Sequence, residues 1–224
     1  MPPPDSVPTP SVLPPPEARR ERNAEASRRR LLDAAEAEFA RCGFAGARLR
    51  DIADAAGAQP ALIHHYFVDK QGLYRAVIDR ALVQTSTMSW TVLGSSNDLE
   101  VLITGFIDLL VEFHAAHQNL MSLLRHEALA GGEMAAPLLR ERSLPIVEAV
   151  AALLEERQRS GEVRADVDVR EIILAGMSMA VYPFSDASML EPLLPGCAPR
   201  GGGALERRKR AIVEILLGGI RGRS

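Results

Sequence analysis

The chain has 224 residues, 47% of them apolar, which is enough for one or two domains with a real hydrophobic core. Aromatic residues make up only 4%, whereas Ala, Leu, Arg and Glu dominate, so good helix formers outweigh strand formers and the expected fold class is all-α. A formal net charge of −3 excludes a protein that coats nucleic acid through bulk positive charge, while leaving room for a local basic face.

Residues 1–16 hold eight prolines and almost no charge, a composition that cannot build a core, and a disordered tail is expected over 1–21. An apolar stripe then begins: Leu31, Ala35 and Phe39 recur at four-residue spacing within a helix over 23–41 that Gly43 ends. Short helices over 49–56 and 60–67 follow, separated by a turn at Gly57, with Ile52, Ala53, Ile63 and Phe67 facing inward. Pro60 suits a first helical turn, and Asp69 is placed to cap a longer helix over 70–90. After the Gly94-Ser95-Ser96-Asn97 punctuation, helical patterns cover 98–116, 119–130, 137–160, 169–182 and 205–220, with loops at 161–168 and 192–203.

Residues 17–80 carry twelve Arg or Lys against ten Asp or Glu, a local surplus of +2 in an otherwise acidic chain. Cys42 and Cys197 belong to no CxxC or Cys/His pattern, so neither a disulfide nor a zinc site is indicated, and a reducing cytoplasm suits them. With no stretch of about 18 apolar residues and no apolar leader, neither a membrane span nor export is expected.

Six short motifs stand in register over about 50 residues. They are Leu32, Ala35 and Phe39; Gly43-Phe44; Asp51-Ile52-Ala53; Gly57; Tyr66-Phe67; and Lys70, Leu73 and Tyr74. Together, over Arg29 to Val77, they resemble the DNA-binding domain of TetR-family transcriptional regulators. The resemblance implies a helix-turn-helix DNA-binding domain over 22–78 and a helical ligand-binding and dimerisation domain over 79–224. Where that family commonly caps the second helix with Ser or Thr, this chain has Ala47-Arg48, and His64 stands at a position where the family commonly has Tyr.

In a helix-turn-helix the second helix enters the major groove N-terminus first. That places Pro60, Ala61 and Leu62, with Gln59 before them, at base edges, offering apolar contact and little hydrogen bonding. Arg50 is the candidate for bidentate contact with guanine; Arg48, His64, His65, Tyr66 and Lys70 are candidates for phosphate. His65 and Tyr66 have a second reading as packing at the edge of the small core. Arg19, Arg20, Arg22 and Arg28 to Arg30 form either an arm along the DNA backbone or a solvated helix face neutralised by Glu21 and Glu25.

The resemblance implies an effector pocket among the middle helices, for which Phe106, Leu109, Phe113, His117, Met121, Arg125 and Met177 are the candidate lining. At helical spacing such residues are also ordinary core. Their apolar character fits a small apolar or amphipathic effector. His114 and His117 share a helix face at i, i+3, but no third ligand is placed and no metal or other cofactor is expected. Arg125 suits either a ligand carboxylate or an ion pair with Glu127 or a neighbour.

Small residues Gly176 and Ala180, with Ala211, Ile212, Ile215, Leu216 and Gly219, suggest two helices per subunit packing as a four-helix bundle in a homodimer. Such a dimer reads a palindromic double-stranded operator. The resulting expectation is a repressor released by its effector, and not an enzyme: no nucleophile elbow, phosphate loop or zinc-protease motif is present. Two alternatives remain open, a thiol-based redox sensor using Cys42 or Cys197, and a helical interaction protein without DNA binding.

Overall fold

The structure, a computed structural model, describes residues 16–196 and 202–222. Its regular elements are all α-helices, and none of the described helices is long and apolar enough to cross a membrane. The tail expected through residue 21 gives way earlier, because α1 (Pro16–Gly46) starts at a proline whose missing N–H costs nothing in a first turn. Leu31, Ala35 and Phe39 are fully buried on its inner face. The helix breaks at Gly43, whose φ of 68° is left-handed, and a Cβ there would lie 3.4 Å from the His126 ring.

The next elements follow the expected rhythm: α2 (Leu49–Ala55), a turn with Gly57 at φ 60°, and α3 (Pro60–Phe67) with its proline in the first turn. Arg48 occupies the N-cap of α2 in extended conformation, but its side chain makes no capping bond. Arg48→Ser is expected to stabilise the fold by about 1 kcal/mol through that missing bond. A urea midpoint that rises at constant m-value checks this, whereas a fall would mean that the arginine makes a stabilising contact of its own.

Asp69 caps α4 (Lys70–Leu93), accepting from the Gly72 amide at 2.7 Å. The caps of the C-terminal helices are as local: Asp98 accepts from Val101 at the start of α5 (Leu99–Ala116), and Asp168 from Arg170 at the start of α9 (Val169–Ser185). Between them lie α6 (Gln118–Leu129), α7 (Ala135–Arg142) and α8 (Leu144–Arg159). A single helix over 137–160 was expected. Instead it divides at Ser143, because Pro145 has no amide to donate back and its ring crowds the carbonyl four residues earlier.

The short α10 (Ala187–Leu190) and the terminal α11 (Gly202–Ile220) complete the chain. The 161–168 loop is more ordered than its composition suggests. Val163 is buried and forms an isolated antiparallel bridge with Arg221, through bonds from Arg164 N to Ile220 O and from Gly222 N to Glu162 O. Cys197 lies outside the described residues.

α4 crosses residue 78 without a break, and its two ends serve different neighbours. The N-terminal core, built around Leu31, Phe39, Ile52, Ile63 and Tyr74, also takes in Leu123 of α6 with Ala135 and Leu138 of α7. Arg80 of α4 bridges Asp33 and Glu36 of α1 at 2.6 and 2.7 Å, and Arg142 of α7 reaches Asp79 at 2.8 Å. The N-terminal domain is thus packed against α6 through α1 and against α7 through α4.

Candidate nucleic-acid interface and internal cavity

The ends of α2 and α3 present one exposed surface. Arg48 and Arg50 project at the start of α2, with Gln59, Pro60 and Ala61 at the start of α3, all solvent-exposed. Arg50 lies 3.8 Å from Asp54, a pair so exposed that solvent screens it, which leaves the guanidinium able to reach elsewhere. His65 is exposed as well.

The remaining candidates are partly engaged within the fold. Leu62 and Tyr66 are half-buried against the N-terminal core, Tyr66 meeting the His65 ring edge at 5.0 Å. His64 is exposed but donates from Nδ1 to the Val68 carbonyl at 2.9 Å, closing α3 where Val68 itself is held at φ 70°. That value is unusual for a β-branched residue, and the Asp69 amide bonding back to Phe67 O marks a γ-turn between α3 and α4. Lys70 differs most from its expected role: its ammonium donates to Ala45 O at 3.3 Å and sits 4.8 Å from the Phe44 ring centroid, so it ties α4 to the part of α1 beyond the Gly43 break.

Among the arginines of α1, Arg28 places its guanidinium 5.6 Å from the Phe67 ring, against the last residue of α3, and Arg30 donates to Ser27. Arg20, Arg28, Arg29 and Arg30 are exposed, and the side chain of Arg19 lies outside those described. Cys42 is half-buried; its thiol donates to the Glu38 carbonyl at 3.1 Å, and burial followed by the Glu38 carboxylate pushes its pKa up. A redox sensor needs the opposite, a thiolate held in an electropositive site.

The second half holds a cavity of ≈ 610 Å³, partly open to solvent, between α4, α5, α6, α8 and α9, with Leu139 of α7 and Leu216 of α11 also in its wall. This lies within the range of sites for small molecules. Phe106, Phe113, Met121, Arg125 and Met177 all line it. Leu109 is buried but does not, and His117 stacks on Phe113 at 4.1 Å with its Nδ1 donating to Phe113 O, outside the lining. Sequence spacing had put His117 on the cavity face with His114, whereas α5 ends at Ala116 and His117 leaves the helical register. Among the described residues no group of three or more His, Cys, Asp or Glu is placed to hold a metal.

The lining is almost wholly aliphatic and aromatic, with a few polar groups. Ser86 and Ser89 on α4 have no hydrogen-bond partner among the described residues. Arg125 does not pair with Glu127; it donates to Ser185 O at 3.0 Å and lies 3.4 Å from Asp186, at the end of α9. His114, the remaining ionisable group of the wall, was named in the sequence only for its spacing. Ser86 and Ser89 were missed altogether. Their i, i+3 repeat is masked by Gln84, Thr85, Thr87 and Thr91 around them, so no polar contrast singles them out.

α6 lies between this cavity and the helix-turn-helix. Met121, Leu124 and Ala128 face the cavity, while Leu123 enters the N-terminal core and His126 lies against Gly43. Glu127, only 3% exposed, accepts from Tyr74 Oη at 3.1 Å and from the amides of Met134 and Ala135 at 2.7 and 3.0 Å. One carboxylate thereby caps α7 and holds the aromatic cluster of Phe39, Phe44 and Tyr74.

Two family models match the chain. Residues 31–77 fit "Bacterial regulatory proteins, tetR family" and residues 100–216 fit "Tetracyclin repressor-like, C-terminal domain". The HTH-type transcriptional repressor SCO4008 of Streptomyces coelicolor is 30% identical over 195 residues, covering 87% of this chain and 97% of its own. The fold is similar to that of the fatty acid degradation regulator FadR from Bacillus halodurans (TM-score 0.68, 18% identity, 88% of this chain and 97% of that one). It is also similar to the regulator FadR from Bacillus subtilis solved in complex with stearoyl-CoA (TM-score 0.67, 18% identity, 86% and 99%).

Proposed function

The chain belongs to the TetR family and is a DNA-binding transcriptional regulator of helix-turn-helix type, and we propose that it acts as a homodimeric repressor released from a palindromic operator when a small molecule fills its cavity. The observation that carries this reading is the position of α6, which has one face on the cavity and the other in the core of the helix-turn-helix. The described relatives are regulators of transcription, which is the role assigned here rather than catalysis.

In this reading residues 22–78 bind DNA and 79–224 bind the effector and dimerise, with α4 shared between them. Arg50 reads a guanine, Gln59, Pro60, Ala61 and Leu62 face base edges, and Arg48, His64, His65, Tyr66 and Lys70 flank the phosphates. The engagement of Lys70 with Ala45 and Phe44 makes its substitution structural as well, so Arg50 is the cleaner probe. An effector that fits a conformer with wrongly spaced recognition helices lowers DNA affinity by its differential affinity for that conformer.

The dimer face is revised from the expected one. Gly176 and Ala180 point into their own subunit: a Cβ on Gly176 would meet Leu216 at 3.4 Å, and Ala180 is fully buried. Their smallness serves α9–α11 packing. Ile212 and Leu216 are buried likewise, while Leu174 and Tyr182 on α9 and Ala211, Ile215 and Gly219 on α11 are exposed. An exposed apolar strip on two adjacent helices supports subunit pairing there.

Selection of bound sequences from random duplex DNA tests the reading, and a two-fold symmetric site whose binding weakens with salt is the expected result. On the selected site Arg50→Ala is expected to lose about 1–3 kcal/mol, with relaxed preference at one base pair per half-site. A selection that enriches nothing, with and without candidate effectors, would leave the fold serving as an interaction module.

A further inference from the structure

We infer that the cavity takes an uncharged, largely hydrocarbon molecule bearing a hydroxyl group, an alcohol or phenol whose O–H donates to Nε2 of His114. This rests on the reading of the cavity as the effector site and narrows what fills it.

The polar groups of the wall set the class. His114 lines the cavity, and its Nδ1 must donate to the Leu110 carbonyl, since a carbonyl can only accept. In the neutral ring that bond leaves Nε2 as a lone-pair acceptor. Burial, and secondarily His117, favour the neutral form by pushing the pKa of His114 below the usual histidine value, although the Leu110 bond opposes them. The ring is also fixed in place, meeting Phe113 edge-on at 5.6 Å and stacking with Phe184 at 6.4 Å. An acceptor held in an apolar wall calls for a donor on the ligand.

The same wall argues against an acid. Its two charged groups, Arg125 and Asp186, already face each other, and Asp186 also accepts from the Ser185 hydroxyl at 2.6 Å. A carboxylate entering there must either displace Asp186 from Arg125 or stand beside it as a second anion, a penalty that solvent lessens but does not remove, since the Arg125 side chain is 48% exposed. Placed at His114 instead, it would meet the lone pair of Nε2. A hydroxyl meets neither penalty, and Ser86 and Ser89, for which no side-chain hydrogen bond is seen among the described residues, line the same cavity as further donors.

Displacement of the neutral fluorophore N-phenyl-1-naphthylamine from the full chain at pH 7.5 provides the test, with decan-1-ol, decanoate and 1-methoxynonane as competitors of equal heavy-atom chain. Decan-1-ol is expected to displace the probe at a concentration about tenfold below that of either other compound, the worth of one buried hydrogen bond. His114→Phe is expected to keep probe binding and erase the preference for the alcohol over the ether. Equal or tighter binding of decanoate, equal binding of alcohol and ether to the unmodified protein, or a preference that survives His114→Phe would overturn the inference while leaving an effector cavity in place. No binding of the probe or of any competitor would overturn the effector reading and this inference with it.

Discussion

Replacing Glu127 by alanine is expected to cost about 3 kcal/mol or more of folding stability, the largest effect of any single polar substitution we foresee. The carboxylate is 3% exposed and accepts from three donors: Tyr74 Oη and the amides of Met134 and Ala135. Alanine leaves all three without a partner, Tyr74 Oη and the Ala135 amide buried and the Met134 amide half-buried, and each buried donor stranded in this way costs about 1–3 kcal/mol. It also removes the cap of α7, a helix of eight residues that has no N-terminal cap from its own flanking residue. Glu127→Gln keeps one accepting oxygen and is expected to lose less, while Tyr74→Phe removes a single bond and is expected to lose about 1 kcal/mol. Urea denaturation of the three variants checks the order. Equal midpoints for Glu127→Ala and the unmodified chain would mean that the carboxylate does not hold α7 and α4 together.

The second large effect is expected at the exposed strip of α9 and α11. Ile215 is 61% exposed and Leu174 57%, so glutamate at either position leaves the subunit core untouched. In a dimer each would bury a charge against an apolar partner with nothing to neutralise it. Ile215→Glu is therefore expected to sediment as a monomer with unchanged helix content. Its affinity for a full palindromic operator is expected to fall by about 10²–10⁴, because the second half-site is no longer engaged at the effective concentration that linkage provides. Affinity for an isolated half-site is expected to stay the same. A monomeric unmodified protein, or a variant that binds the full operator normally, would move the subunit interface elsewhere or remove it.

Residues 23–90 were legible in detail because their signals are local. The Leu31, Ala35 and Phe39 spacing, Gly57 in its turn, Pro60 at a helix start and Asp69 as a cap each act within a turn or two of chain, and each stands in the structure where its chemistry places it. The break at Ser143 was equally local, since Pro145 was there to be weighed; the apolar periodicity on both sides of it outweighed the breaker. Five of the seven candidate residues line the cavity; His117 leaves the helical register at the end of α5, and Leu109, although in register, is buried away from it.

The sequence by itself determined the all-helical class, the helix-turn-helix and the kinship that its motifs carry, since these rest on periodicity, caps and turns whose partners lie a few residues away. Only the tertiary structure decided which side of α9 and α11 is inner and what covers it. It turned Gly176 and Ala180 inward and left Leu174 and Ile215 outside, folded Lys70 back onto Ala45 and Phe44, and brought Glu127 to Tyr74 across 53 positions of chain. A helical period shows that a stripe exists, but which neighbour covers it depends on packing against elements far away in sequence. That is why the partner of a buried carboxylate, the polar groups of a cavity wall and the apolar residues left exposed on α9 and α11 were settled by the fold.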